Sequence, residues 1–443
     1  MNKKICLIIA LFIFTLLSLT PEAHAKVYID IDSPAGKKLP LAILDYKVES
    51  DKTISASKLR RLRADIHDAL SGDLDFTALF DIIDEDAFLE SPKKSGMSSK
   101  KTNFADWRAI GAEILIKSSV RVKGTRLIAE FRLFDTVKES QLIGRRYVGR
   151  LSNPRKLAHR FADDLIEKLT GTKGIFSTKI IFTSDRSGAK EVYICDYDGK
   201  NTRQVTNNKT INLSPKWSPD ARSILFTSYM YGTPSLFKMD LRTARTEVVS
   251  SKSGINLGGR FSPDGNRIAL TMSGDKSPEI YKLNLNTNKI TQLTKNYSID
   301  VSPTWSPSGK RIAFVSDRGG NPHIYVINSN GKNTKRLTFE GKYNSDPDWS
   351  PNGDLITYAR AEKGGFKIWV TSPDGKRSMR VTRDGNNKTP SWSPDGRYIV
   401  FSSEEGRKSS LYIIRSNGGV KRKIQTGYYD GNETAPAWSP YLK

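Results

Sequence analysis

The 443-residue sequence predicts an N-terminal α/β domain followed by an all-β, six-bladed β-propeller closed by the C-terminal strand. Three observations carry that prediction. A Trp-Ser-Pro phrase, Phe-Ser-Pro in one copy, recurs at Trp217, Phe261, Trp305, Trp349, Trp392 and Trp438, in steps of 44, 44, 44, 43 and 46 residues. Such a period is typical of propeller blades. Other positions keep the same register: a large apolar residue nine after each anchor (Phe226, Leu270, Phe314, Tyr358, Phe401) and an aromatic twenty after it (Phe237, Tyr281, Tyr325, Trp369, Tyr412). Finally, Phe182, Tyr193 and Val205-Thr206 precede the first anchor at matching spacings, yet position 173 is Lys, and Trp438 begins a repeat that stops at Lys443. One anchor is therefore at the wrong end of the chain. A ring in which Ala435 to Pro440 completes the N-terminal blade restores the count and removes two open sheet edges.

In chain order, residues 1–25 read as a signal peptide: Lys3 and Lys4, an apolar Ile5 to Leu19, and an Ala23-His24-Ala25 cleavage site. The apolar run is shorter than a membrane span, and the mature chain has no other span candidate. Residues 26–172 form the α/β domain. Lys26 to Asp32 alternates like a half-buried or detachable edge strand, and Leu39 to Tyr46 is a denser, more buried strand. Ser57 to Leu70 is a helix with Ser57 as candidate N-cap; Phe76 to Ile83 returns to strand. Phe104 to Ile110 is a short helix, and strands follow at Ile114 to Val122, Thr125 to Phe134 and Gln141 to Gly149. Asn153-Pro154 opens a helix that Gly171 ends. Gly171–Gly174 is a short hinge into the propeller, 173–443, whose blades are strands joined by Ser-Pro-Asp-Gly and similar turns. The anchors read as packing between blades.

The chain holds 71 basic and 47 acidic residues, a formal charge of +24. Residues 174–443 carry 41 basic and 24 acidic residues, against 28 and 22 in 26–173, so the surplus sits on the propeller. No helix–turn–helix, zinc or aromatic RNA-binding signature accompanies it, so nucleic acid is not an expected partner and a basic surface facing anionic envelope components is. Cys195 is the single mature cysteine, which excludes a disulfide framework and reads as a small buried strand residue. His67, His159 and His323 are scattered, Asp163-Asp164 reads as a solvated helix face, and no Gly-x-Ser-x-Gly elbow or phosphate loop occurs. No catalytic residue and no metal site are assigned.

Five residues before each anchor stand Asn212, Asn256, Asp300, Asn344, Asn387 and, with a longer side chain, Glu433. In a ring these are expected to enter the innermost strands and rim the channel, either bonding their own turns or facing a partner. The two carboxylates could hold a Ca²⁺ there through oxygen ligands; otherwise no cofactor is expected.

The stretch from Ala158-His159-Arg160 through Glu167-Lys168-Leu169-Thr170-Gly171, the Gly174-Ile175-Phe176-Ser177-Thr178 that follows, and the ending Pro436 to Leu442 resemble the TolB family, exported propeller proteins of the Tol–Pal envelope system. The resemblance covers the whole mature chain; the strongly basic charge departs from it. It implies a monomeric, non-catalytic periplasmic protein that supports outer-membrane integrity and constriction during division. The implied partners are the peptidoglycan-associated lipoprotein Pal at the channel mouth, TolA, and other envelope proteins. Pal would meet loops that include Ile255, Gly258 and Val301. TolA would take the segment Lys26, Val27, Tyr28, Ile29, Asp30, Ile31 and Asp32, which could add to a partner's sheet edge, with its docking coupled to occupancy of the channel mouth. The alternative is a hydrolase, lyase or glycan-binding protein using the propeller channel.

Overall fold

A computed structural model describes residues 38–50, 54–91, 96–274, 276–427 and 431–442, with backbone only at 45–48. The expected signal peptide and the segment Lys26 to Asp32 lie outside the described residues.

The first domain is a five-stranded sheet, ordered β2-β1-β3-β4-β5, of β1 (Leu39–Ser50), β2 (Phe80–Ile82), β3 (Ile114–Lys123), β4 (Arg126–Asp135) and β5 (Ser140–Arg150). β1 is parallel to β2 and β3; β3, β4 and β5 are antiparallel. The run at the start of β1 is apolar throughout because both faces are covered. Leu41 and Ile43 enter the core beneath α1 (Ala56–Thr77) and α3 (Arg155–Thr170), while Ala42 and Leu44 pack with Phe104 and Trp107 of α2 (Phe104–Ala109). α1 is longer than the sequence suggested: Leu74 and Thr77 continue its buried stripe, so Phe76 is helical and the strand waits until Phe80. Its cap is Ser55, whose hydroxyl accepts from Lys58 N at 3.4 Å, not Ser57. Pro154 precedes α3, and Asn153 does not cap it. Gly171, at φ 73°, ends the helix by donating to Glu167 O at 2.8 Å.

The propeller has six four-stranded blades. Blade 1 joins the C-terminal strand Glu433–Trp438 to Lys179–Ser184, with Trp438 opposite Ile180 and Glu433 opposite Ser184. The expected closure is therefore present. Each innermost strand carries a bulge with one left-handed residue three before the anchor: Ser214, Gly258, Ser302, Asp346, Thr389 and Ala435, at φ 49–61°. Bulges bend and over-twist a strand; only Gly258 does so without a Cβ cost.

The anchors are packed between blades, and the ring nitrogens of three of them tie one blade to the next, while that of Trp349 turns to Gly353 O in its own blade. Trp217, Trp305 and Trp392 donate to Ala437 O, Arg260 O and Asp348 O, at 3.0, 3.1 and 3.0 Å, each on the preceding blade's innermost strand. Trp438 donates to Thr178 Oγ1 at 2.8 Å.

The first domain sits against blades 1 and 6, on the face bearing the turns after the innermost and third strands. Arg397 meets Thr172 Oγ1 at 3.0 Å, Arg422 pairs with Asp75 at 3.0 Å, and Arg415 bonds the Thr77 carbonyl. One core runs through the junction, from Leu70, Phe161 and Leu165 to Phe176, Tyr398 and Trp438. Asp163 braces the hinge. It is buried, not solvated as expected of the Asp pair, and it accepts from Phe176 N at 2.8 Å and Ser177 N at 3.1 Å. Burial pushes its carboxyl up to about 6 despite those donors. Asp164 is the outward member, bonding Arg145 and Tyr147.

Candidate functional site

The six residues at the shared offset open the innermost strands, but their side chains are not on the channel rim. All are buried. Each reaches back into the seam with the preceding blade or the linker leaving it. Asn212 donates to Glu191 Oε2 at 2.8 Å, and the same carboxylate takes the Thr206 hydroxyl at 2.5 Å. Asn256 accepts from Ser250 Oγ at 2.6 Å, and Asn387 donates to Thr382 Oγ1 at 2.9 Å. Asn344 meets His323 Nδ1 at 3.0 Å. Asp300 takes Asn296 at 2.8 Å and Arg318 at 2.7 Å; Glu433 is held by Arg186 and Thr426. The reason is that an amide or carboxylate leaving water must find partners, and the blade seam supplies them. Asp300 and Glu433, the two carboxylates considered for Ca²⁺, are each engaged by an arginine instead.

What faces solvent is the neighbouring position, one residue earlier. Ile211, Ile299 and Tyr343 are 44, 48 and 45 % exposed, and Ile255 is half-buried. With Met230, Tyr231, Tyr297 and Phe339 on adjoining loops, this end of blades 2 to 5 holds seven of the thirteen exposed large hydrophobics among the described residues. They form a crown on the face away from the first domain, because the loops entering the innermost strands lie opposite the turns that touch that domain. Gly258 and Val301 stand just inside it, Gly258 with open space around its Cα and Val301 half-buried. The crown is interrupted at blades 6 and 1. There the equivalent positions are Asn386 and Asn432, and a cleft of about 280 Å³ is lined by Asp185, Lys190, Glu404, Arg407 and Lys408. Ile211, Ile299 and Tyr343 form a column of the repeat one residue ahead of the buried polar column, legible in the sequence at the same spacing.

Deeper in the channel, the residues just before the anchors include Lys216, Arg260, Thr304 and Asp348. Arg260 reaches Asp348 at 3.1 Å across the width of blade 4, and Asp348 also accepts from Trp392 N at 2.9 Å. Lys216 is brought down to about 7 by burial and by Arg260 beside it. Burial pushes the Asp346 carboxyl up. Cys195 is buried on a blade strand, and burial raises its thiol well above the ordinary range.

No helix among the described residues is long and apolar enough to cross a membrane. The model of the TolB beta propeller domain matches residues 166–442, and that of the TolB amino-terminal domain matches residues 27–142. The Tol-Pal system protein TolB of Syntrophotalea carbinolica is 39% identical over 171 residues, 39% of this chain and 40% of that protein. Its counterpart in Desulfosudis oleivorans is 38% identical over 222 residues, 50% of this chain and 49% of that one. The chain thus spans about half the length, or less, of these curated relatives. The crystal structure of TolB from Acinetobacter baumannii superposes with a TM-score of 0.77 at 26% identity, covering 92% of this chain and 98% of that one. With a propeller match across more than half its length and the amino-terminal match ahead of it, the chain belongs to the TolB family.

Proposed function

We propose that this chain is a non-catalytic, periplasmic interaction module of the Tol–Pal envelope system, exported by its signal peptide and needing no cofactor. It binds Pal across the apolar crown and TolA through residues 26–32, and supports outer-membrane integrity and constriction during division. The observation that carries this reading is the crown itself. An apolar patch rimmed by polar residues, on the propeller face away from the described part of the first domain, fits a protein partner with an apolar centre and polar edge.

The test is a calorimetric titration of Pal into the protein carrying Ile255→Asp with Val301→Asp, and separately Ile299→Asp. Binding is expected to disappear in both while the melting temperature stays within a few degrees of the parent. Unchanged affinity would reject the crown. Deleting 26–37 should remove TolA binding and spare Pal; loss of both would argue against separate sites.

A further inference from the structure

The junction between the first domain and blade 1 contains a group of side chains that the interaction role does not use. His159 of α3, Asp196 at the end of the third strand of blade 1 and Asp198 in the turn after it each present a ligand atom, all within 4.8 Å of one another. His159 is 2 % exposed. Its Nδ1 lies 2.7 Å from Asp73 Oδ2 on α1, and Tyr197 donates its hydroxyl to the other oxygen of Asp73 at 2.6 Å. The remaining nitrogen, Nε2, is buried without a hydrogen-bond partner.

We propose that His159, Asp196 and Asp198 form a divalent-metal site, of the zinc class, that joins the two domains. One imidazole nitrogen and two carboxylate oxygens are a donor set that borderline cations such as Zn²⁺ accept. A buried ring nitrogen with no hydrogen-bond partner is costly unless something takes it. The Asp73 carboxylate behind the imidazole is the partner that metal-bound histidines ordinarily have: it fixes the tautomer that leaves Nε2 free and makes that nitrogen more basic. A fourth position would open on the cavity of about 550 Å³ that His159 and Asp196 both line, together with Asp163, Lys173 and Tyr441. Asp198 is already held by Arg155 and the Lys200 amide, and Asp196 by Lys179 and Asn201, so the metal would take its carboxylate oxygens in competition with these donors. Ligands from α3 and from blade 1 mean that the ion would fix how the domains meet.

The experiment uses the tag-free, chelator-stripped protein, titrated with Zn²⁺ by calorimetry and with Co²⁺ by visible absorption. The expected result is one equivalent of Zn²⁺ and a Co²⁺ spectrum of low-coordinate nitrogen–oxygen ligation. Affinity should fall by at least about 100-fold in His159→Gln and in Asp198→Asn, and by roughly 10–100-fold in Asp73→Asn. Asp198→Asn leaves the His159–Asp73 contact in place, so it decides the matter if His159→Gln does not fold. Absence of stoichiometric binding by the parent would overturn the site. So would full affinity in Asp198→Asn, or binding that is lost on replacing His67 or His323 instead.

Discussion

Acidification should weaken this propeller through one imidazole. His323, at the start of the third strand of blade 4, is 2 % exposed. Asn344 donates to its Nδ1, and the Glu340 carbonyl, also served by that amide nitrogen at 3.0 Å, fixes which end of Asn344 faces the ring. Nδ1 therefore accepts from Asn344, with Thr338 Oγ1 a further 3.1 Å neighbour, and protonating it would cost the Asn344 bond. Burial first, then Arg336 and Arg360, hold its pKa down to about 4, against roughly 6.5 in an unfolded chain. A base depressed on folding contributes stability above its unfolded pKa and loses it as pH falls toward the folded one. Over that window the loss is about 3 kcal/mol, of which about 2 kcal/mol is gone by pH 5. Other buried groups titrate there too, including Asp163, so the readout is the difference between the parent and His323→Gln. Urea unfolding at pH 7, 6, 5 and 4 should show the parent's advantage over the variant shrinking by that amount. A constant difference, or an imidazole that titrates near 6.5 by NMR in the folded protein, would refute the assignment of Nδ1 as acceptor.

Other perturbations test other parts of the molecule. Trp438→Ala should cost about 3–5 kcal/mol and lower the melting of both domains together in calorimetry, because Trp438 belongs to the core that crosses the junction. Arg186→Ala strips the cation from buried Glu433 and should destabilise by about 3–5 kcal/mol, seen as a lower urea midpoint. Lys216→Met should stabilise. The native lysine is penalised in its charged form, so the gain is full below about pH 7 and fades toward pH ~10.4, where the unfolded lysine also loses its proton. A melting series at pH 6 and pH 9.5 checks that sign.

The repeat made the blade count and the ring closure legible, because Trp438 without a following repeat and Phe182 without an anchor have one joint solution. The seams were not legible. Their partners to Asn212, Asp300, Asn344 and Asn387 are Glu191, Arg318, His323 and Thr382, residues with no shared identity, since any donor or acceptor of the right reach satisfies a buried amide or carboxylate. Asp163 could have been read as buried. It lies four residues after His159 and three before Ile166, on the helix face that also holds Thr170. The end of α1 depended on contact with the propeller: the Phe76 ring packs at a tilt against Tyr398, centroids 4.7 Å apart, a neighbour no local window contains.

The latch of this wheel is the strand Glu433–Trp438. Until residues 433–438 arrive, Lys179–Ser184 has a bare edge and the junction core lacks its tryptophan, so a chain on which they are not yet made is unable to lock. A product lacking residues 433–438 would present that sticky edge to its neighbours, and the cell would meet it as a target for proteolysis or a seed for aggregates.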